Sequence, residues 1–350
     1  MSRHGSFLSC VVAATCILIP LATAGPCDIF ASGGTPCVAA HSTTRALYSD
    51  YSGPLYQVLR SDGSTKDIGV CSQSGSADIS SQYAFCARSA CLISKGLPLT
   101  IRKIYDQSGN DNDLTAAPSG GNAVGLGIAG SDQLADASAA QVMVNGRPAH
   151  GVYVSPGVGY RNDATHNMPT GDDAQGIYAV LDGTHYNGKC CFDYGNAETN
   201  NNDNGPGHMQ ALYFGSQSLF GAGAGGGPWV LADMEDGTFS GQSKGGNPNN
   251  PSVPFRFVTG MINGAPDYWE ILVGDATNGG LTVGYAGPRP VGYEVMHQEG
   301  AIILGIGGDN SNSGEGTFYE GAITDGIPSD DTDRKVQADI VSAQYSASRV

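Results

Sequence analysis

Three acidic residues stand where they could do chemistry. Residues 229–237 read Trp-Val-Leu-Ala-Asp-Met-Glu-Asp-Gly, a short strand running into an Asp-Gly turn. Side chains alternate along a strand, so Leu231, Asp233 and Glu235 are expected on one face, with Val230, Ala232 and Met234 on the other. Two carboxylates on one face repel, and burying either is costly. They are therefore either a solvated edge or a pair kept for work. A third acid, Asp309, follows the apolar run 301–306 and two glycines, and Gly308 there lets a ligand approach the backbone closely. Its plain reading is an Asp-Asn turn. Glycoside hydrolysis needs such a set: one carboxylic acid to protonate the leaving oxygen, and a second carboxylate as nucleophile or to activate water. Glu320 and Asp193 are weaker candidates for the same work.

Other chemistries find less support. The Gly-rich stretch 221–227 has no Lys-Ser/Thr after it and no helix signal, so it is not a phosphate loop. No Gly-x-Ser-x-Gly elbow follows a strand, and the histidines lack zinc spacing. The loop 106–113 is rich in oxygen ligands but lacks EF-hand spacing, which leaves calcium as a minor reading beside Asx turns. No cofactor and no metal are expected. No Asn-x-Ser/Thr sequon with a permitted middle residue is present.

These acids need a rigid scaffold, and the composition points to strands. Charged residues are 14% of the chain while glycine supplies 52 of 350, a pattern of short strands and many turns. Strands are expected at 55–60, 66–70, 99–105, 149–154, 176–181, 209–215, 229–235, 255–262, 268–273, 301–306 and 317–323. Helices are expected at 39–48 and 331–347, the second N-capped by Ser329 or Asp330. Residues 25–37 read as a loop. With no repeat, heptad or dividing linker, a single β-sandwich of the jelly-roll kind over 25–350 is the economical architecture. An excess of 33 acidic over 17 basic residues argues against nucleic acid or anionic membranes as partners and suits neutral polymers.

The chain opens with a basic Met-Ser-Arg-His, a short apolar run and Ala22-Thr23-Ala24. This is the pattern of a secretory signal peptide over residues 1–24, implying a secreted, extracellular protein. Seven cysteines follow, which in an oxidising compartment read first as disulfides. Cys27–Cys37 and Cys86–Cys91 are the local pairings. Cys190 and Cys191 are adjacent, and the default reading is that each pairs elsewhere.

Four long strings carry a resemblance: Asp182-Gly-Thr-His-Tyr-Asn-Gly, Cys190-Cys191-Phe-Asp-Tyr-Gly-Asn-Ala-Glu-Thr, Pro228-Trp-Val-Leu-Ala-Asp-Met-Glu, and Glu299-Gly-Ala-Ile-Ile-Leu-Gly-Ile-Gly-Gly-Asp-Asn-Ser-Asn. In these the chain resembles glycoside hydrolase family 54, the catalytic domain of fungal α-L-arabinofuranosidase B, over essentially all of residues 25–350. The resemblance implies an all-β, concanavalin A-like jelly-roll sandwich with a short C-terminal helix. It implies retaining, exo-acting release of terminal L-arabinofuranose from arabinoxylan, arabinan and arabino-oligosaccharides, the arabinose-bearing carbohydrates of plant cell walls, by a monomeric enzyme. Glu235 would be the nucleophile and Asp309 the acid/base, with carboxyls about 5–5.5 Å apart. Asp233 would hold sugar hydroxyls and Gly308 would lie against the sugar. A vicinal Cys190–Cys191 disulfide would form a platform under the furanose ring. Two positions depart from the family pattern. Phe220 stands for a sugar-packing Trp and loses its N–H donor. Asp236 stands for an Asn and adds charge beside Glu235, which is expected to raise that group's pKa. The family's arabinose-binding β-trefoil module is expected to be absent from a chain ending at Val350. The rival readings are a lectin-like sandwich without turnover, and β-xylosidase or galactofuranosidase specificity.

Overall fold

Short alternating stretches pair into two antiparallel sheets, and the computed structural model describes them through residues 24–72, 74–86 and 99–347. Residues 1–23 of the expected signal peptide and Cys91 of the expected Cys86–Cys91 bridge lie outside the described residues; Cys86 itself is disulfide-bonded. A nine-stranded sheet runs Asn278–Gly287, Tyr268–Asp275, Phe257–Ala265, Gln175–Tyr186, Gly316–Asp325, Arg147–Val154, Ala140–Val144, Ser346–Ala347, with Cys37–Ser42 also paired to Gly316–Asp325. A ten-stranded sheet runs Thr238–Phe239, Trp229–Asp233, Gln210–Gly215, Asp193–Ala197, Ala301–Leu304, Tyr160–Asn162, Leu114–Ala116, Thr100–Ile104, Pro54–Leu59, Thr65–Gly69. The two face each other across the main core, forming the expected β-sandwich.

Period-two alternation assigns each layer. Ile177, Ala179 and Leu181 enter the core between the sheets, together with Val258, Ile262, Phe318 and Ile323. Their neighbours Tyr178 and Val180 face the other way. There they pack with Phe257, Met261, Tyr319 and Ala322 under Phe30 of the helix Pro26–Ser32 and Val336 and Ile340 of the helix Asp330–Ser342. Covered on both faces, 176–181 reads as a continuous apolar run. The ten-stranded sheet gives Tyr194, Leu212, Phe214, Val230, Ala232, Ile302 and Leu304 to the core. Its opposite face carries Asp193, Tyr213, Leu231, Asp233 and Ile303, and this face holds the site. The closing helix starts where expected: Ser329 accepts from the Thr332 N–H at 3.3 Å, and Asp330, Asp331 and Asp333 crowd the positive end of its dipole.

The structure corrects several expectations. Residues 39–48 are not a helix; Cys37–Ser42 is a strand, buried along its whole length against Gly316–Asp325, so burial on both faces hid the alternation. Residues 25–37 are not all loop, because Pro26 opens a helix and Asp28 reaches back to the Gly25 N–H at 2.8 Å. The Cys27–Cys37 disulfide joins this helix to that strand with Cα atoms 5.6 Å apart. The edge strand Asn278–Gly287 was masked by its glycines and exposed polar residues. Cys190 and Cys191 do not pair elsewhere; they bond to each other. In the loop 106–113 two carboxylates are engaged by protein donors. Asp106 accepts from the Ala40, Ser108 and Asn112 N–H groups, and Asp113 accepts from the Asp106 N–H and Lys103.

Candidate active site

The strand carrying the acids ends one residue pair earlier than its sequence suggests. Trp229–Asp233 stops at Asp233, and Glu235 sits in a tight hairpin to Thr238–Phe239. Met234 N–H donates to the Gly237 carbonyl at 3.0 Å, and both central residues, Glu235 and Asp236, have positive φ (60° and 53°). A two-residue hairpin demands this backbone, which suits Asn, Asp and Gly and strains a glutamate. The surroundings hold the strained residue in place. Tyr293 donates its hydroxyl to the Glu235 carbonyl at 2.7 Å and packs edge-on against Phe239. The Glu235 N–H donates to Asp233 Oδ1 at 3.2 Å. Conformational cost of this kind concentrates at working sites.

Asp309 is held by a second turn. Asn310 has φ 65°, its N–H donates to the Gly307 carbonyl at 3.1 Å, and the Ser311 N–H and hydroxyl both donate to Asp309 Oδ1 at 2.9 and 2.6 Å. One oxygen is thus engaged and the half-buried carboxyl is aimed. The Cys190–Cys191 pair is tied to the same turn, since the Cys191 N–H donates to the Ser311 carbonyl at 2.9 Å. Cys191 is buried among Tyr213, Trp229 and Leu231, while Cys190 is exposed. Cys191 Sγ lies 3.5 Å from Asp233 Oδ2. These two cysteines and Asp233 are grouped closely enough to resemble a metal site, but sulfurs bonded to each other are not thiolate ligands.

Two further carboxyls complete the site. Asp193, a weak candidate from sequence, is buried on the strand Asp193–Ala197, and Glu198 follows directly after that strand with no solvent exposure. Sequence reasoning missed Glu198, although it lies inside the Cys190–Thr199 string. Neither carboxyl meets an N–H or O–H donor among the described residues. Each faces another carboxyl instead: Asp193 faces Asp233, and Glu198 faces Glu235. A hydrogen bond forms within such a pair only if one member keeps a proton. Burial, then the neighbouring negative charge, pushes Asp193, Asp233 and Glu235 above the usual carboxylate range, and burial also raises Glu198. For Glu235 the leading charges are Glu198 and Asp233 rather than the adjacent Asp236. The expected influence of Asp236 is therefore secondary, and its side chain is exposed. Gly308 lies between the glutamates. A Cβ there would stand 1.9 Å from Glu198 Oε2 and 3.1 Å from Glu235 Oε2.

Asp233, Glu235, Gly308 and the two cysteines are thus brought together beside Asp309. Phe220 stays at the rim, 38% exposed, with the Lys244 ammonium 5.8 Å from its ring centroid; Lys244 also reaches the hairpin at Gly237. Glu320 is excluded. It is buried on the other sheet beneath the closing helix, forked to Arg45 at 2.6 and 2.7 Å and accepting from Tyr345.

Buried carboxyls clustered on one face of a β-sandwich, one of them on a strained hairpin, suit the acid and nucleophile chemistry of a glycoside hydrolase. The comparisons give the family. Residues 26–346 match the family described as alpha-L-arabinofuranosidase B, catalytic, and the chain belongs to it. It is 56% identical over 350 residues to the Emericella nidulans alpha-L-arabinofuranosidase B, covering 99% of this chain and 67% of that protein. It is 58% identical over 340 residues to the Trichoderma koningii arabinofuranosidase/B-xylosidase, covering 96% and 66%. A solved arabinofuranosidase complexed with arabinofuranosyl-alpha-1,2-xylobiose superposes with TM-score 0.88 at 54% identity, covering 92% of this chain and 65% of that one. The chain therefore spans about two thirds of the length of these relatives.

Proposed function

We propose that this chain is the catalytic unit of a secreted, exo-acting, retaining α-L-arabinofuranosidase that removes terminal arabinofuranose from arabinose-bearing polysaccharides and oligosaccharides. The observation that carries it is the hairpin-tip Glu235, its carboxyl set among Glu198, Asp233 and Gly308 beside the turn-held Asp309. Glu235 attacks the anomeric carbon as the bond to the aglycone oxygen breaks, and Asp309 gives that oxygen its proton. Asp309 then takes a proton from water, whose oxygen displaces Glu235 with the stereochemistry restored. Asp233 accepts from sugar hydroxyls, and the apolar Cys190–Cys191 platform packs under the ring. Among the described residues no helix is long and apolar enough to cross a membrane.

The test is turnover of aryl α-L-arabinofuranosides by wild type, Glu235→Gln and Asp309→Asn. Glu235→Gln should lose about a thousandfold or more in kcat. Asp309→Asn should lose about a hundredfold on poor leaving groups and less on activated ones. Near-normal rates in either variant remove that residue from its role. An inactive wild type that still binds arabinose makes the protein a lectin. The name of the Trichoderma koningii relative favours β-xylosidase as a second specificity, so an aryl β-xyloside belongs in the panel.

A further inference from the structure

Glu198, like Asp193, is an acid of the site with no assigned work, and it is the one that faces Glu235. It is fully buried, and neither carboxyl oxygen meets a donor among the described residues. The nearby cation is committed elsewhere. Arg161 donates to the Gly308 carbonyl at 2.6 Å, to the Glu198 carbonyl and to Asp163. Its guanidinium thus pins the two main chains but gives no hydrogen bond to the Glu198 carboxyl. A buried carboxylate without donors is untenable, whereas a neutral carboxylic acid has one O–H to give. The acceptor it meets is Glu235, because Glu198 Oε2 and Glu235 Oε2 converge on the space above Gly308 where a Cβ would be.

We propose that Glu198 is the positioning residue of the nucleophile: as a neutral acid it donates a hydrogen bond to Glu235 Oε2, fixing the carboxylate plane and leaving Oε1 for the sugar carbon. This rests on Glu235 being the nucleophile. Glu198 keeps its proton through both displacements, so the covalent steps balance without it. Sharing that proton favours the singly charged pair, which eases the first ionisation and resists the second. The charged groups around the pair are Asp233 on the same hairpin, Arg161 on Tyr160–Asn162, and Asp203 in the loop before His208. Glu299 is paired to His208 at 2.9 Å, and Asp193 and Asp309 lie beyond Asp233. Burial and the Glu299 charge favour a proton on Glu198, while the contact with Glu235 and the Arg161 charge oppose it.

The test reads kcat/KM for 2,4-dinitrophenyl α-L-arabinofuranoside, whose leaving group needs no proton, so Asp309 drops out of the first displacement and the acid limb reports the nucleophile. Glu198→Gln keeps a donor of the same shape and should hold kcat/KM within about threefold, with its acid limb close to wild type. Glu198→Leu fills the space without a donor. It should lose about tenfold or more in kcat/KM, and its acid limb should move to higher pH, because Glu235 loses a hydrogen bond that favours its charged form. Near-ultraviolet circular dichroism checks that both variants are folded. If Gln and Leu behave alike, whether both active or both impaired, Glu198 is a space filler or a required charge and the proposal falls. Glu235→Gln, run alongside, reports separately on the underlying reading: full turnover there removes the nucleophile assignment whatever Glu198 does.

Discussion

Replacing Gly308 by alanine adds one methyl group at the place where the two glutamates meet. Gly308 does not require a positive φ, so the backbone accepts alanine and the effect is steric alone. The new Cβ would stand 1.9 Å from Glu198 Oε2 and 3.1 Å from Glu235 Oε2. Glu198 must retreat by roughly 1 Å to reach even a tight contact, and being fully buried it has no free volume to enter. The Gly308 main chain cannot yield easily either, since its carbonyl is held by Arg161 at 2.6 Å. Overpacking of this kind costs about 1–3 kcal/mol of stability, and a displacement of about 1 Å at a reacting carboxylate can cost about a hundredfold in rate. Gly308→Ala should therefore fold, unfold a few degrees lower, and turn over aryl arabinofuranosides about a hundredfold more slowly. The split between parameters locates the damage. A misplaced Glu235 lowers kcat, whereas a methyl group touching only the sugar raises KM with kcat intact. Saturation kinetics at fixed folded fraction measure both. A variant within twofold of wild type in kcat would refute the convergence of Glu198 and Glu235 over Gly308.

Two predictions concern stability away from the site. Asp333, buried in the first turn of the closing helix, has its pKa raised to about 7 by burial. A raised folded-state value means that stability is lost as pH climbs from about 4 to about 7, by at most about 4 kcal/mol; Asp333→Asn should flatten urea-unfolding curves across that window, and an unchanged slope would contradict it. Glu320→Ala leaves Arg45 with only Asp339 as a buried partner and should cost about 3–5 kcal/mol in urea unfolding while kcat of the folded enzyme is unchanged, because this pair lies under the helices on the other sheet. A loss below about 1 kcal/mol would show that Asp339 alone satisfies the arginine.

The legible parts of this molecule are those where a local rule and the tertiary structure agree. The strands carrying Leu212, Val230 and Ile302 bury one face in the core, so alternation or an apolar run reveals them, and the Ser329 cap marks its helix from sequence alone. Legibility fails where one segment is covered on both faces, as in Cys37–Ser42, or where an edge strand is glycine-rich, as in Asn278–Gly287. The site shows the same division at finer scale. Alternation brought Asp233 and Glu235 to attention together, but their true relation is a strand end and a strained turn. The strain is informative because Glu235 occupies a conformation that glutamate disfavours, and Tyr293, Asp233 and the hairpin all hold it there. Glu198 was invisible for the opposite reason. Nothing in Gly-Asn-Ala-Glu-Thr marks a carboxyl that will lose every donor, since that depends on Arg161 turning to two carbonyls instead. A lone buried acid without donors would have to remain neutral and idle. Beside Glu235 the same proton becomes a hydrogen bond that positions the nucleophile, and the glycine at 308 keeps open the space in which it forms.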